Sequence, residues 1–190
     1  MNIWFTSDLH LGHDREFIYK PRNCNSLIEM EEKIINNWNN KVSDDDTVYI
    51  LGDLALGEDF DRIYNILSKL KGNKILYRGN HDTDKKLEFY KEHEDVFRLK
   101  RVEHADDPIK YKKYRFLPTH YSCLCFNLEA YPTETLINLF GHTHSKDLFY
   151  NDIPYMYNVA CDAHDCTPVS IDQIITDVKN KVKDCLEFLK

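Results

Sequence analysis

Residues 74–82 read Lys-Ile-Leu-Tyr-Arg-Gly-Asn-His-Asp, an apolar run that stops at a polar block. The same figure stands at residues 47–53, Thr-Val-Tyr-Ile-Leu-Gly-Asp, and at residues 3–10, Ile-Trp-Phe-Thr-Ser-Asp-Leu-His. Short runs that are apolar on both faces, with β-branched and aromatic side chains, predict strands of a buried parallel sheet. Helical patterns lie between them. Ser26 and Glu29 make an S-x-x-E capping box, and Ile28, Ile34, Ile35 and Trp38 predict an apolar stripe on a helix over about residues 26–41. Asp59 to Leu70 places Ile63, Ile66, Leu67 and Leu70 on one helical face, and Gly72 stops it. The order β-α-β-α-β implies a parallel sheet covered by helices.

Past residue 84 the pattern changes. A short helix to about His93 leads to strand-like runs at Val96–Glu103 and Ile109–Pro118, and Asp107-Pro108 between them predicts an antiparallel hairpin. Leu136–Phe140 and Tyr155–Ala160 read as further strands. Ser170 and Gln173 cap a last helix, with Ile171, Ile174, Ile175, Val178, Val182 and Leu186 at helical spacing. There is no linker and no internal repeat, so one mixed α/β domain over residues 1–190 is expected.

Composition narrows the class. Hydrophobic residues are 42% of the 190, enough for a core, and no apolar run reaches the length of a membrane span. Met1 to Asp8 lack a signal-peptide pattern, so a cytoplasmic protein is expected. The net charge of −7 argues against an extended nucleic-acid track held by bulk electrostatics. Six cysteines form no C-x-x-C. Buried thiols are a better reading for them than a zinc cluster of Cys123, Cys125, Cys161 and Cys166.

The chemistry sits in five blocks, each after an apolar run: Asp8-Leu9-His10, Gly52-Asp53, Gly79-Asn80-His81-Asp82, Thr119-His120 and Gly141-His142-Thr143-His144. Ligands of open α/β sheets gather at the carboxyl ends of strands, so distant blocks can share one crevice. Asp, His and Asn together suit Mn, Fe, Zn, Ni or Co. Gly before Asp53, Asn80 and His142 fits close or unusual backbone turns.

In its D-x-H, G-D, G-N-H-D, lone His and G-H-x-H blocks, from Asp8 to about Ser170, the chain resembles the calcineurin-like metallophosphoesterases. The segments Asn158–Asp162 and Thr167–Ser170 look like those of its small bacterial and phage members. The resemblance implies a four-layer α-β-β-α sandwich with mixed parallel and antiparallel sheets. It also implies two divalent transition-metal ions, with Mn²⁺ favoured over Fe, Zn, Ni or Co. One ion would take Asp8, His10, Asp53 and His144. The other would take Asp53, Asn80, His120 and His142, with the Asp53 carboxylate bridging. A metal-bridging hydroxide would attack the phosphate, His81 would protonate the leaving oxygen, and Asp82 would hydrogen-bond the His81 ring. Two such ions would add +4 and bring the formal charge to about −3.

The G-D-x-x-D-R-G motif of the family's protein phosphatases is absent, as is the Arg that grips a dianionic monoester. A small phosphate diester, with nucleotides among the plausible substrates, is therefore the expected substrate. A nuclease or a nucleotide phosphomonoesterase is the enzymatic alternative, and a protein-binding scaffold the non-catalytic one. His13, Arg15 and Arg22 are candidates for substrate contact. His93 and His104 read as surface residues, and Lys110–Arg115 as an exposed hairpin strand. His164 and Asp165 lie in a loop that could approach the site or stay solvated. Tyr121, Phe126 and Tyr131 are candidates for a lid or an interface.

Overall fold

The three apolar runs become β1 (Ile3–Thr6), β2 (Thr47–Ile50) and β3 (Asn73–Tyr77), paired in parallel in the order β1-β2-β3. They are seen in a computed structural model that describes residues 1–102, 108–123 and 135–188. Crossovers carry α1 (Glu16–Tyr19) and α2 (Leu27–Lys41) between β1 and β2, and α3 (Phe60–Leu67) between β2 and β3. After α4 (Asp84–Glu92) and α5 (Glu94–Phe97), β4 (Leu99–Val102) adds a fourth parallel strand beside β3. The two-residue β9 (Val169–Ser170) closes the other edge, antiparallel to β1. A second sheet has the order β5 (Ile109–Tyr111), β6 (Tyr114–Pro118), β7 (Thr135–Phe140), β8 (Met156–Asn158). Its first pair is antiparallel and the others are parallel. The mixed sheets with helices are the α/β metallophosphoesterase architecture expected.

The pleat explains why the first-sheet strands are apolar on both faces. Trp4, Val48, Ile50 and Leu76 join a core with Met30, Ile34 and Trp38 of α2 and Ile63 and Leu67 of α3. Ile3, Phe5, Tyr49 and Tyr77 join the opposite core, with Phe116 of β6 and Ile137 and Leu139 of β7. The last helix, α6 (Ile171–Phe188), lays Ile171, Ile174, Ile175 and Val178 into that second core. Each large side chain so buried contributes about 1.5–3 kcal/mol, which fixes how the two sheets sit and where their carboxyl ends meet. Among the described residues no helix is long and apolar enough to cross a membrane.

Helix caps follow the sequence closely. Ser26 accepts from the Glu29 amide at 3.2 Å, and Ser170 from the Gln173 amide at 3.1 Å. The stripe on α2 differs: Leu27, Met30, Ile34 and Trp38 face the core, while Ile28 is 61% exposed. The Asp107-Pro108 hairpin does not form. Leu99–Val102 instead pairs in the first sheet and Ile109 onward in the second, while residues 103–107, Asp107 among them, lie outside the described residues. The hairpin turns at Lys112-Lys113, where Lys112 takes the left-handed conformation at φ 56°. His93 is half-buried among Tyr64, Phe89 and Phe97 and is not a surface residue. Cys24, Cys161 and Cys166 are buried thiols without disulfides. His104, Cys125, Phe126 and Tyr131 lie outside the described residues.

Candidate metal centre

The blocks meet where the two sheets join. A parallel bridge between Ser7 and Ala160 links the end of β1 to the chain leaving β8. Beyond β1 the backbone runs alongside the Gly52-Asp53 block. The Asp8, His10 and Leu11 amides donate to the carbonyls of Gly52, Asp53 and Leu54 at 3.0, 3.1 and 3.2 Å. From the second sheet, the Gly141 amide donates to the His120 carbonyl at 3.0 Å. Two glycines permit the approach: a Cβ at Gly79 would overlap Asp53 Oδ1, and one at Gly141 would overlap Asp8 Oδ2 and Ser7 Oγ.

Two groups of potential ligand atoms result, Asp8/His10/His144 and Asp53/His120/His142, each with its atoms within 4.8 Å of one another. His10 Nε2 is 3.8 Å from Asp8 Oδ1, and His144 Nε2 is also 3.8 Å from that oxygen. Asp53 Oδ2 lies between the groups, 3.7 Å from His10 Nε2 and 3.6 Å from His120 Nε2. Its partner oxygen Oδ1 accepts the His81 amide at 2.8 Å, which leaves Oδ2 as the oxygen facing both groups. Asn80 Oδ1 sits 2.8 Å from His120 Nε2. The His120 Nδ1–H donates to the Leu51 carbonyl at 2.8 Å, so these two atoms are a pair of lone-pair donors facing one point.

Among the described residues only three buried side-chain polar atoms lack a hydrogen-bond partner, and Asp8 Oδ1 and His10 Nε2 are two of them. Folded proteins pair their buried polar groups, and a cation between these atoms supplies the partner. Ligand bonds of about 2.0–2.2 Å to such an ion are compatible with donor atoms about 3–4 Å apart. The donor chemistry of imidazole, carboxylate and amide oxygen suits a divalent transition metal. The residues present fit the group.

Protonation favours the same state at two of the rings, while His144 is the exception, its pKa raised by the hydrogen bond to Asp162. Burial holds His10 and His142 below the ordinary imidazole range, leaving neutral rings. Burial works against the Asp8 carboxylate, yet the hydrogen bonds around it keep its pKa below the usual value. Metal ligands must be deprotonated in this way.

Of the other expected site residues, His81 is 46% exposed at the rim, its Nε2 4.0 Å from Asp53 Oδ2. His13 Nδ1 is 3.2 Å from His10 Nδ1, and burial with the neighbouring His10 pushes its pKa down to about 4. Arg15 is exposed and donates to the Asp14 carbonyl at 3.3 Å. The remaining two expectations need correction.

Asp82 does not hold the His81 ring. It is buried, and its Oδ2 accepts the amides of Asp53 and Gly79 at 2.8 and 2.9 Å, its Oδ1 that of Leu54 at 3.2 Å. Neighbours in sequence point apart on this loop, so Asp82 fixes the Asp53 backbone from beneath. Arg22 does not face a substrate. It is buried, with Nη1 on the Leu9 carbonyl at 3.0 Å, Nη2 on the Asp8 carbonyl at 2.7 Å, and both Nε and Nη2 on Asp162.

Asp162 ends the Asn158–Asp162 segment that resembles the small family members, but the sequence alone assigns it no role. Its Oδ2 is 2.9 Å from His144 Nδ1. Burial opposes its ionisation, but the His144 and Arg22 hydrogen bonds bring its pKa down to about 2. Glu31 is equally silent: it accepts the Gly12 amide at 2.8 Å and pairs with Arg62, tying the first block to α2 and α3. His164 and Asp165 stay away from the ligands. His164 bonds the Asn158 carbonyl, and Asp165 pairs with Lys33.

Residues 1–167 match the family model described as calcineurin-like phosphoesterase. A Methanocaldococcus jannaschii protein, MJ1445, is 30% identical over 180 residues, covering 91% of this chain and 89% of its own. The gene 66 protein of Mycobacterium phage D29 is 27% identical over 208 residues, with 94% and 98% of the two chains covered. That of phage L5 is 40% identical over 84 residues, 43% of this chain and 40% of its own. Among solved structures, AQ665 from Aquifex aeolicus superposes with a TM-score of 0.66 at 23% identity, over 92% of this chain and 98% of that one. A structure titled as a novel archaeal phosphodiesterase gives 0.50 at 17% identity, over 84% and 82%.

Proposed function

Since the chain belongs to the calcineurin-like phosphoesterase family, we propose that it hydrolyses phosphodiesters of small or nucleotide-type substrates at a two-metal site. The observation that carries this reading is Asp53 Oδ2, set between His10 Nε2 and His120 Nε2 with its partner oxygen already engaged. Asp8, His10 and His144 would hold one ion, and Asn80, His120 and His142 the other. When bound, such ions lower the pKa of a water nucleophile and neutralise charge on phosphate oxygens. Mn²⁺ is the proposed metal.

The chain's own groups do the rest. His81 stands beside the bridging oxygen with its ring open to solvent, placed to give a proton to the leaving oxygen. Asn80, a neutral ligand, limits the negative charge facing an anionic substrate. Of the arginines around the site, Arg22 pairs with Asp162, Arg62 with Glu31 and Arg78 with Asp84, which leaves exposed Arg15 as the candidate contact for the phosphate. The diester preference rests on the missing arginine of the G-D-x-x-D-R-G motif. Two exposed aromatic rings flank the cluster, Tyr121 against His142 at 4.6 Å and Phe17 against His13 at 5.5 Å. Flat rings there suit a base or an aryl group beside the scissile phosphate. The named archaeal phosphodiesterase is consistent with the diester preference.

The test is a panel with Mn²⁺ and Ni²⁺ that sets bis-p-nitrophenyl phosphate against the monoester, cyclic nucleotides and single-stranded DNA. Faster diester turnover is expected, and a monoester preference refutes the reading. His81→Ala should lower kcat by about 10²–10⁴-fold with metal content retained. The retention follows because the residue's backbone amide, not its ring, bonds Asp53. Unchanged turnover removes His81 from the reaction.

A further inference from the structure

The two halves of the cluster are oriented by different means. On the Asp53 side, the outer nitrogen of His120 is held by a backbone carbonyl, that of Leu51, which no substitution at residue 51 removes. On the Asp8 side, the outer nitrogen of His144 is held by a side chain, Asp162 Oδ2 at 2.9 Å. His144 has more need of it. Its side chain is 33% exposed and its backbone is left-handed at φ 50°, whereas the His120 ring is enclosed at 2%.

Asp162 is itself fixed. Arg22 grips it as a two-pronged fork, Nε to Oδ1 at 3.0 Å and Nη2 to Oδ2 at 2.8 Å. The same guanidinium reaches the carbonyls of Asp8 and Leu9, so one cation ties the backbone of Asp8-Leu9-His10 to the carboxylate that aims His144. Both side chains are at least 95% buried, and a buried fork of this kind has one low-energy arrangement.

We propose that Asp162, held by Arg22, is the positioning residue of the Asp8–His10–His144 half-site. It keeps the proton on His144 Nδ1 and the Nε2 lone pair aimed toward Asp8 Oδ1, and it does nothing comparable for the other half. A carboxylate behind a metal-binding imidazole fixes the ring's tautomer and raises its donor strength, and losing such a partner weakens metal binding by about 10–100-fold. The proposal rests on the reading that the cluster holds two ions.

The test is Mn²⁺ titration of metal-free protein by calorimetry, with low-temperature EPR to separate a coupled ion pair from a single ion. Arg22→Ala strands a buried carboxylate and two carbonyls and can unfold the chain, so the variant is Asp162→Asn. It keeps an oxygen for His144 Nδ1–H and loses the charge. Wild type is expected to bind two ions. In Asp162→Asn one ion keeps its affinity, the other weakens about 10–100-fold, and at two equivalents the coupled signal gives way to a single-ion one. Asp82→Asn is the contrast: Asp82 pins the Asp53 backbone, and Asp53 serves both ions, so both weaken together. The proposal is overturned if Asp162→Asn binds both ions as wild type does, or if both weaken equally. Wild type that binds fewer than two ions refutes the two-ion reading itself.

Discussion

Replacing Asp82 by asparagine separates two roles for a carboxylate next to His81. The buried side chain accepts three backbone amides, from Asp53 and Gly79 on Oδ2 and from Leu54 on Oδ1. Asparagine brings one oxygen. Placed at the Oδ2 position, it keeps the two shorter bonds and turns its amino group on the Leu54 amide, donor against donor. Stranding that one buried donor costs about 1–3 kcal/mol. Part of this is returned: burial has raised the Asp82 pKa, and neighbouring Asp53 repels its charge, so the neutral amide is easier to bury. The net loss is about 2 kcal/mol, or about 4–8 °C in Tm for a chain this long. Metal-free protein followed by thermal denaturation gives the stability, and Mn²⁺ titration gives the affinity. A drop of that size with weaker metal binding is expected, and kcat falls because Asp53 is no longer fixed. An unchanged Tm and unchanged affinity, with a large fall in kcat alone, would refute the reasoning and return Asp82 to the His81 ring.

Three other outcomes follow from the same geometry. Chelation should lower Tm, since an ion at about 100 times its Kd stabilises by about 2.7 kcal/mol, worth about 5–10 °C here; an identical Tm with and without Mn²⁺ would contradict a built site. His142→Gly removes an exposed ligand candidate at φ 63° but keeps the backbone bond to Asp8 Oδ2. Relief of about 1 kcal/mol of left-handed strain offsets the glycine's entropy, so the metal-free Tm should hold or rise slightly while Mn²⁺ protection is lost, and a clear fall in metal-free Tm counts against strain. Tyr121→Ala should raise KM for nucleotide or aryl diesters several-fold with little change for a methyl diester, and equal effects on both would deny the ring a stacking role.

What the sequence discloses follows from what each residue must do. Asp, His and Asn are side chains that such a metal takes directly, so blocks of them stand out where a strand ends. Caps are legible because Ser26 and Ser170 act on amides three residues away. The support behind the ligands is not. Asp162 lies 18 residues past His144, in a segment whose resemblance to small family members says nothing of its partner, and only the fold brings it to that ring. Arg22 reads as a candidate for substrate contact until its burial beneath Leu9 is seen. Asp82 misleads because adjacency to His81 in sequence is not contact with its ring. The hairpin fails for a different reason: Asp107-Pro108 carries a strong turn signal, yet sheet pairing places the two runs in different sheets. The real turn falls on Lys112, a residue with no turn preference of its own.

One backbone device accounts for much of the cluster. Asp8 and His10 have φ of 56° and 52°, and His142 and His144 have 63° and 50°, so each sheet delivers ligands through two left-handed residues flanking one other. Asp53 adds a fifth at 53°. Each costs on the order of 1 kcal/mol, and such strain persists only where the surroundings over-determine it. Here the restraints are visible. Leu9, between the first pair, is buried in the core, and the Asp8 and His10 amides are locked to Gly52 and Asp53. For the second pair, Asp8 Oδ2 takes the His142 amide at 2.8 Å, and Asp162 takes the His144 ring. Asp8 therefore acts in two ways at once. One of its oxygens holds the opposite sheet's turn, and the other is left without a partner, facing His10 and His144. An aspartate is required there for both reasons, since an amide would offer only one of the two acceptors. The site's chemistry and the joint between the sheets thus depend on one carboxylate, and neither can be altered at residue 8 without the other.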